Sequence, residues 1–277
     1  MLASLGLWSA ALLQASSGAA PAPPQAPAPR STDQRVAESA NLGRLLYTFD
    51  QAASVSSDAL TAVAAQDIPT GLGGYVVEAL DDEILRVTYY RGAAATAHAF
   101  FVADVRRGKV VRKDRLVQPV PLTADQAILA HARDAAAVRA RDRGYTPCTP
   151  KPFNTVVLPS RKGGPVAAYL LSAQVTQGTF PMGGNYRVIV APDGTVLASR
   201  PYSVSCLPMT APKLPKGATP VGFMVNHLLD PMPTEIHVFA SYRMRMPVFV
   251  RTPDAQVWRV EGSTITALAK KDAPPAN

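Results

Sequence analysis

The sequence predicts an α+β fold, with helices on one face of curled antiparallel sheets, and three observations carry that expectation. Apolar residues first recur at a helical period. The period then switches to strict alternation after the glycine-rich break Gly71–Gly74, and the same order is repeated around Gly144. Joins between the alternating segments, such as Asp81-Asp82, Gly92 and Arg107-Gly108, are so short that only antiparallel neighbours can be connected. A chain of 277 residues, 47% hydrophobic and 17% charged, also has enough apolar side chain to close a sizeable core. It lacks the long apolar runs of a polytopic membrane protein and the polarity of a disordered one.

The N-terminal segment sets the expected compartment. The apolar run Leu2–Leu13 is too short to span a bilayer and is followed by small residues from Ala15 to Ala20, the pattern of a cleavable leader. No Lys or Arg precedes the run, so a buried N-terminal helix is the competing reading. Against it, the alternating Pro and Ala of Pro21–Arg30 form an extended tether that no packed helix continues. The expected division is a signal peptide over 1–20, a Pro/Ala-rich tether over 21–31 and a first α+β unit over 32–120. A second unit with C-terminal strands covers 121–270, and a disordered tail covers 271–277. Export places the mature protein in the periplasm or outside the cell.

In the first unit, Val36, Leu42, Leu45, Leu46, Val55, Leu60 and Val63 keep helical spacing, which predicts a helix from Thr32 to about Ala65. Alternation predicts strands over Tyr75–Leu80, Ile84–Arg91, Thr96–Arg106 and Lys109–Val117. In the second unit, Thr123-Ala-Asp-Gln126 is a capping box opening a helix over Ala124–Arg143, stopped by Gly144. Its face of Ile128, Leu129, Ala132, Ala135, Ala136 and Ala140 is flat enough to lie close on a sheet. Strands are expected at Phe153–Leu158, Val166–Thr176, Tyr186–Ala191 and Thr195–Val204, with a tight turn at Pro192-Asp-Gly194. After the proline-rich loop Leu207–Pro220, five more are expected: Val221–Leu229, Thr234–Met246, Val248–Thr252, Val257–Glu261 and Thr264–Leu268. By analogy of fold alone, the repeated helix-then-sheet units are similar to PepSY or cystatin-like modules, which implies no activity.

The two cysteines, Cys148 and Cys206, both lie in proline-flanked joints between regular segments. An even pair in an oxidising compartment forms one bridge, which stabilises the fold by roughly 4 kcal/mol in the chain-entropy model. A redox-active thiol would need a CxxC or a nearby base, and no CxxC is present. The stretch Tyr145–Leu268 carries Gly183-Gly-Asn-Tyr-Arg187, the joint around Cys206, and Asn226-His-Leu-Leu-Asp-Pro-Met-Pro-Thr-Glu-Ile-His-Val238. In these pieces it resembles uncharacterised exported proteins of Gram-negative bacteria. That resemblance implies export and assigns no catalytic residue.

Ligand-type residues are densest at His227, Asp230, Glu235 and His237. On two strands joined by Asp230-Pro-Met-Pro233 the histidines would face each other, and Glu235 and His237, two apart, would share a face. His227, Glu235 and His237 are therefore the candidate ligands of a divalent metal, in a metal-binding protein or a metal-dependent hydrolase. His227 also keeps step with Phe223, Val225 and Leu229, as a core histidine would. Met209, Met224, Met232, Met244 and Met246 fall nearby, but strand alternation separates the last two from His237, which makes them core filler rather than copper ligands. Net charge is +8. The run Arg106, Arg107, Lys109, Arg112, Lys113 and Arg115 puts six cations on one hairpin, either to meet an anionic surface or to guard an edge strand. No aromatic platform interleaves them, so nucleic acid is not the expected partner. No GxSxG or SxxK supports nucleophilic catalysis, and Asp81-Asp82-Glu83 reads as a solvated turn. The expected function is that of an exported, non-enzymatic protein without a transmembrane segment in its mature chain, binding a protein or an anionic envelope component.

Overall fold

The first helix, α1, runs unbroken over Thr32–Val63 and turns Leu46, Phe49, Ala52, Ala53 and Leu60 into the core. Its partner is a four-stranded antiparallel sheet, β1 (Leu72–Ala79), β2 (Ile84–Arg91), β3 (His98–Arg106) and β4 (Lys109–Pro121), in that spatial order. Val87, Tyr89, Phe101, Ala103 and Val105 meet the helix in one apolar cluster. The computed structural model describes residues 30–63, 72–160, 163–210, 217 and 220–269. The expected signal peptide, nearly all of the tether and the tail lie outside the described residues.

The β3–β4 loop is Arg107-Gly108, both at positive φ (48° and 71°), as a two-residue hairpin with the right-handed strand twist requires. The third strand starts later than expected, because Ala94–Thr96 forms a 3-10 turn. The sheet's register shifts near Gly74, near Val105 and, most widely, around Phe100. Pairing shifts between Tyr89 and Tyr90 on β2 and between Ala99 and Phe101 on β3, so Phe100 is an extra residue on both sides. Opposite it, β4 carries the unpaired stretch Leu116–Pro119.

The second helix, α2 (Ala124–Asp142), begins with the expected capping box: Gln126 N–H donates to Thr123 Oγ1 at 3.2 Å and Thr123 N–H to Gln126 Oε1 at 3.1 Å. Its buried Leu129, Ala130, Ala132, Ala136 and Ala140 lie on a second antiparallel sheet, packed on Val157, Ala168, Leu170, Val188 and Val190. That sheet is ordered β5 (Asn154–Leu158), β6 (Val166–Leu171), β8 (Tyr186–Val190) and β9 (Val196–Pro201). Between them, β7 (Thr179–Pro181), absent from the sequence expectation, pairs with β10 (Pro208–Thr210).

The C-terminal part departs from the expectation. Thr234–Met246 is not a strand; it holds helix α3 (Glu235–Met244), which joins β11 (Phe223–Asn226) to β12 (Val248–Arg251) as parallel neighbours. β13 (Val257–Glu261) and β14 (Thr264–Ala267) then follow antiparallel. The reason is legible in retrospect. Thr234-Glu-Ile-His237 is a capping box with histidine in the Glu/Gln place, and Thr234 N–H donates to His237 Nδ1 at 3.0 Å. Because Ile236, His237, Val238, Phe239, Ala240 and Ser241 are all buried, the helix shows no polar face from which a period could be read. The strand parity that separated Met244 and Met246 from His237 falls with the strand.

Among the described residues the structure is thus mixed α/β, three α-helices on open, mostly antiparallel sheets. Two glycine sites show how closely it is assembled. Gly43 on α1 meets α3, where an added Cβ would lie 2.4 Å from Val238 Cβ. Cys148 and Cys206 are disulfide-bonded with Cα atoms 5.5 Å apart, and the Gly183-Gly184 loop is pressed on that bridge. A Cβ on Gly183 would sit 2.2 Å from the Ser205 carbonyl, and one on Gly184 2.8 Å from Cys148 Sγ.

Candidate functional site

Helix geometry separates what a strand would have joined. Glu235 and His237 lie two residues apart on α3, about 200° around its axis, and they meet different groups. Glu235, buried, accepts hydrogen bonds from Arg187 at 2.7 Å, from the Tyr169 hydroxyl at 3.0 Å and from the Tyr202 hydroxyl. Burial and the Glu235 charge push both tyrosines well above their ordinary range. This carboxylate therefore ties α3 to β6, β8 and Tyr202, just past β9.

On the other side, His237 meets His227, the rings edge-to-face with centroids 4.6 Å apart. His227 Nε2 is 2.8 Å from Asp230 Oδ2, and the Asp230 carboxylate also accepts from Arg200 at 3.0 Å. Burial alone would raise Asp230, but the bonds from His227 and Arg200 outweigh it and hold the carboxyl below the usual range. His237 is pushed well below the ordinary imidazole value, first by burial and then by His227. A backbone N–H can only donate, so the Thr234 bond makes Nδ1 the acceptor and leaves the proton of neutral His237 on Nε2.

The structure brings His227 and His237 together, adds Asp230 to them, and turns Glu235 away. Among the described residues no three His, Cys, Asp or Glu side chains are arranged to hold a metal ion. A cleft of about 240 Å³ opens on the two rings, walled by Met182, Leu207, Val225 and Ile236. Each carboxylate of the cluster faces an arginine, Glu235 with Arg187 and Asp230 with Arg200. The cluster is charge-balanced and built as an internal tie.

The basic hairpin is exposed, and its charges are partly matched within the chain. Arg106 and Arg107 reach Glu83 at 3.6 and 2.6 Å, and Arg112 pairs with Asp114. Arg115 too has a partner; it, Lys109 and Lys113 are exposed on β4, an edge strand with no neighbour on its outer side among the described residues.

Sequence reasoning missed a wide cleft, about 860 Å³, between α1, the β1–β2 turn, the start of α2 and the β5–β6 connection. Its floor is apolar: Leu45, Phe49, Leu85, Leu129, Leu158 and Val166. Among the described residues its rim holds Glu78, Asp81, Asp82, Glu83 and Asp125 with Arg44, and Glu83 is in addition paired with Arg106 and Arg107. Asp81 accepts the N–H groups of Glu83 and Ile84 at 2.8 and 2.7 Å, which holds its carboxyl below the usual range and so ionised. Glu78 accepts from Gln126 Nε2 at 2.8 Å, so the capping glutamine also orients a rim carboxylate. The signal available beforehand was Asp81-Asp82-Glu83; what hid it was the long-range approach of α2 and the β5–β6 connection.

No helix among the described residues is long and apolar enough to cross a membrane. Comparison with known protein families, curated proteins and solved structures finds no match for the chain.

Proposed function

We propose that this is an exported, non-enzymatic protein that binds a segment of another protein, and that the large cleft is where it binds. One observation carries the reading. In a chain of net charge +8, the described rim of a wide apolar-floored cleft carries five carboxylates and one arginine. Apolar floors with a few oriented polar groups are the usual form of ligand sites. The sign of this rim selects a cationic segment carrying apolar side chains. Export is supported by the leader-like N-terminal sequence and by the disulfide, which forms and persists in oxidising compartments. Kinship with the exported proteins that Tyr145–Leu268 resembles is part of the same proposal.

The test is fluorescence anisotropy with a labelled peptide of alternating Lys and Leu and its Glu–Leu counterpart. The cationic peptide should bind, with affinity falling as salt is raised. The paired substitution Asp82→Asn and Asp125→Asn should weaken it roughly threefold or more, as the loss of two exposed ion pairs implies. Equal binding of both peptides, or no effect of the substitutions, refutes the assignment of the cleft.

A further inference from the structure

The kink at Phe100 opens a further cleft of about 500 Å³ on the sheet of β1–β4. Among the described residues its lining is short: Arg91, Phe100, Arg115, Leu116, Val117 and Pro119, two guanidinium groups and four apolar side chains, with no carboxylate among them. Three features separate it from an ordinary surface dent. The Arg91 guanidinium lies over the Phe100 ring, 5.0 Å from its centroid, which fixes its position. Arg91 Nε is buried without a hydrogen-bond partner, a donor left open next to the cleft. Val117 is 99% exposed, so the unpaired stretch of β4 presents an apolar side chain with nothing covering it.

We infer that this cleft binds a free single-chain anionic amphiphile, its carboxylate or phosphate head set between Arg91 and Arg115 and its alkyl chain on Leu116, Val117 and Pro119. Guanidinium groups are suited to such heads because their planar forks match the oxygens of carboxylate and phosphate alike. The apolar walls decide the rest of the ligand. Apart from the guanidiniums, the lining side chains offer no hydrogen-bonding group. A peptide lying there would leave its amides without side-chain partners, whereas an alkyl chain asks for none. The bulge is the reason the site exists: in a regular ladder Phe100 would have a paired neighbour and Leu116–Pro119 would be taken up by β3. This site is separate from the peptide cleft, carries the opposite charge, and stands independently of the proposal made for it.

Titration calorimetry on the intact, disulfide-bonded protein tests the assignment, with dodecanoate and dodecyl phosphate below their micelle-forming concentrations as probes. Both should bind, dodecanol at least tenfold more weakly, and acetate not measurably. Arg91→Gln and Arg115→Gln should each weaken dodecanoate roughly tenfold, the scale of a lost charge-assisted contact. Val117→Ser should weaken dodecanoate and leave the preference for the anion intact. Dodecanol binding as tightly as dodecanoate overturns the inference, as does binding that ignores both arginine variants. Retention on phosphatidylglycerol vesicles without binding of either soluble probe overturns it too, in favour of a membrane surface. If the arginine variants unfold, the three probe comparisons on the unaltered protein still decide.

Discussion

Replacing Gly43 by alanine reverses the sign that helix propensity alone would give. In an isolated helix the change gains about 1 kcal/mol. Here the new methyl carbon would stand 2.4 Å from Val238 Cβ, 2.5 Å from Val238 Cγ1 and 2.6 Å from the Glu235 carbonyl oxygen. Carbon atoms rest at about 3.5–4.0 Å, so the helices must part by roughly 1 Å. No rotamer change relieves the contact, because a Cβ and a backbone oxygen cannot swing away. Overpacking of this kind costs about 1–3 kcal/mol. With two fixed atoms opposed, the cost sits at the upper end, and the net loss after the propensity gain is about 2 kcal/mol. Urea denaturation followed by circular dichroism should show it, with the midpoint lowered and the slope unchanged. Thermal unfolding should fall by about 4–8 °C. Adding Val238→Ala should return less than half of the loss, since Val238 keeps its Cβ and Glu235 its carbonyl. A Gly43→Ala protein as stable as the parent, or more so, would refute the close crossing of α1 and α3.

Three further outcomes are expected. The Cys148→Ser, Cys206→Ser protein loses a link across 58 residues and should be less stable by roughly 4 kcal/mol, less any residual structure in its unfolded chain; unchanged unfolding in the absence of reductant would contradict this. Neutral, buried His237 has its folded pKa well below 6.5, so below pH 6.5 the unfolded chain takes up a proton that the native one refuses. Stability should therefore fall as pH drops, by about 1.4 kcal/mol per unit until the native imidazole itself protonates. His237→Gln keeps an acceptor for Thr234 N–H without titrating and should flatten the pH 6.5–5 slope, while an unaltered slope would place its origin elsewhere. Elemental analysis of purified protein should find no stoichiometric zinc or copper; one metal per chain, lost on His227→Ala, would restore the metal-binding reading of the two histidines.

Most of the element order was legible because it is written locally. The Thr123–Gln126 box, the Arg107-Gly108 turn and the strands β2 and β3 need only neighbours in sequence, and they occur where expected except that β3 starts two residues late. The pairing of Cys148 with Cys206 was legible for another reason, since two cysteines allow a single connection. α3 was not, because a helix buried all round has lost the polar face that reveals its period, and histidine is an unusual third member of a capping box. That one error displaced the candidate site: reading Glu235 and His237 on a strand put them on one face, while the helix sends one to Arg187 and the other to His227. The two proposed binding clefts were beyond reach of the sequence, since one depends on α2 and the β5–β6 connection closing over a turn, and the other on a strand bulge that no residue type announces.

The contact of α1 with α3 joins the first element of the described fold to one of the last. During synthesis α1 is complete long before its partner exists, and the Gly43 side of the helix has to wait for residues 235–244 before that surface is covered. Contacts between such distant parts of a chain form slowly, because the intervening polymer must be ordered first. A molecule wired in this way spends its synthesis unable to finish folding. That delay is a hazard where chains can aggregate, and an asset for one that must be threaded through a narrow pore before it closes on itself. Under the proposed export route, the same pair of helices that stabilises the finished protein also postpones its completion until the chain has arrived.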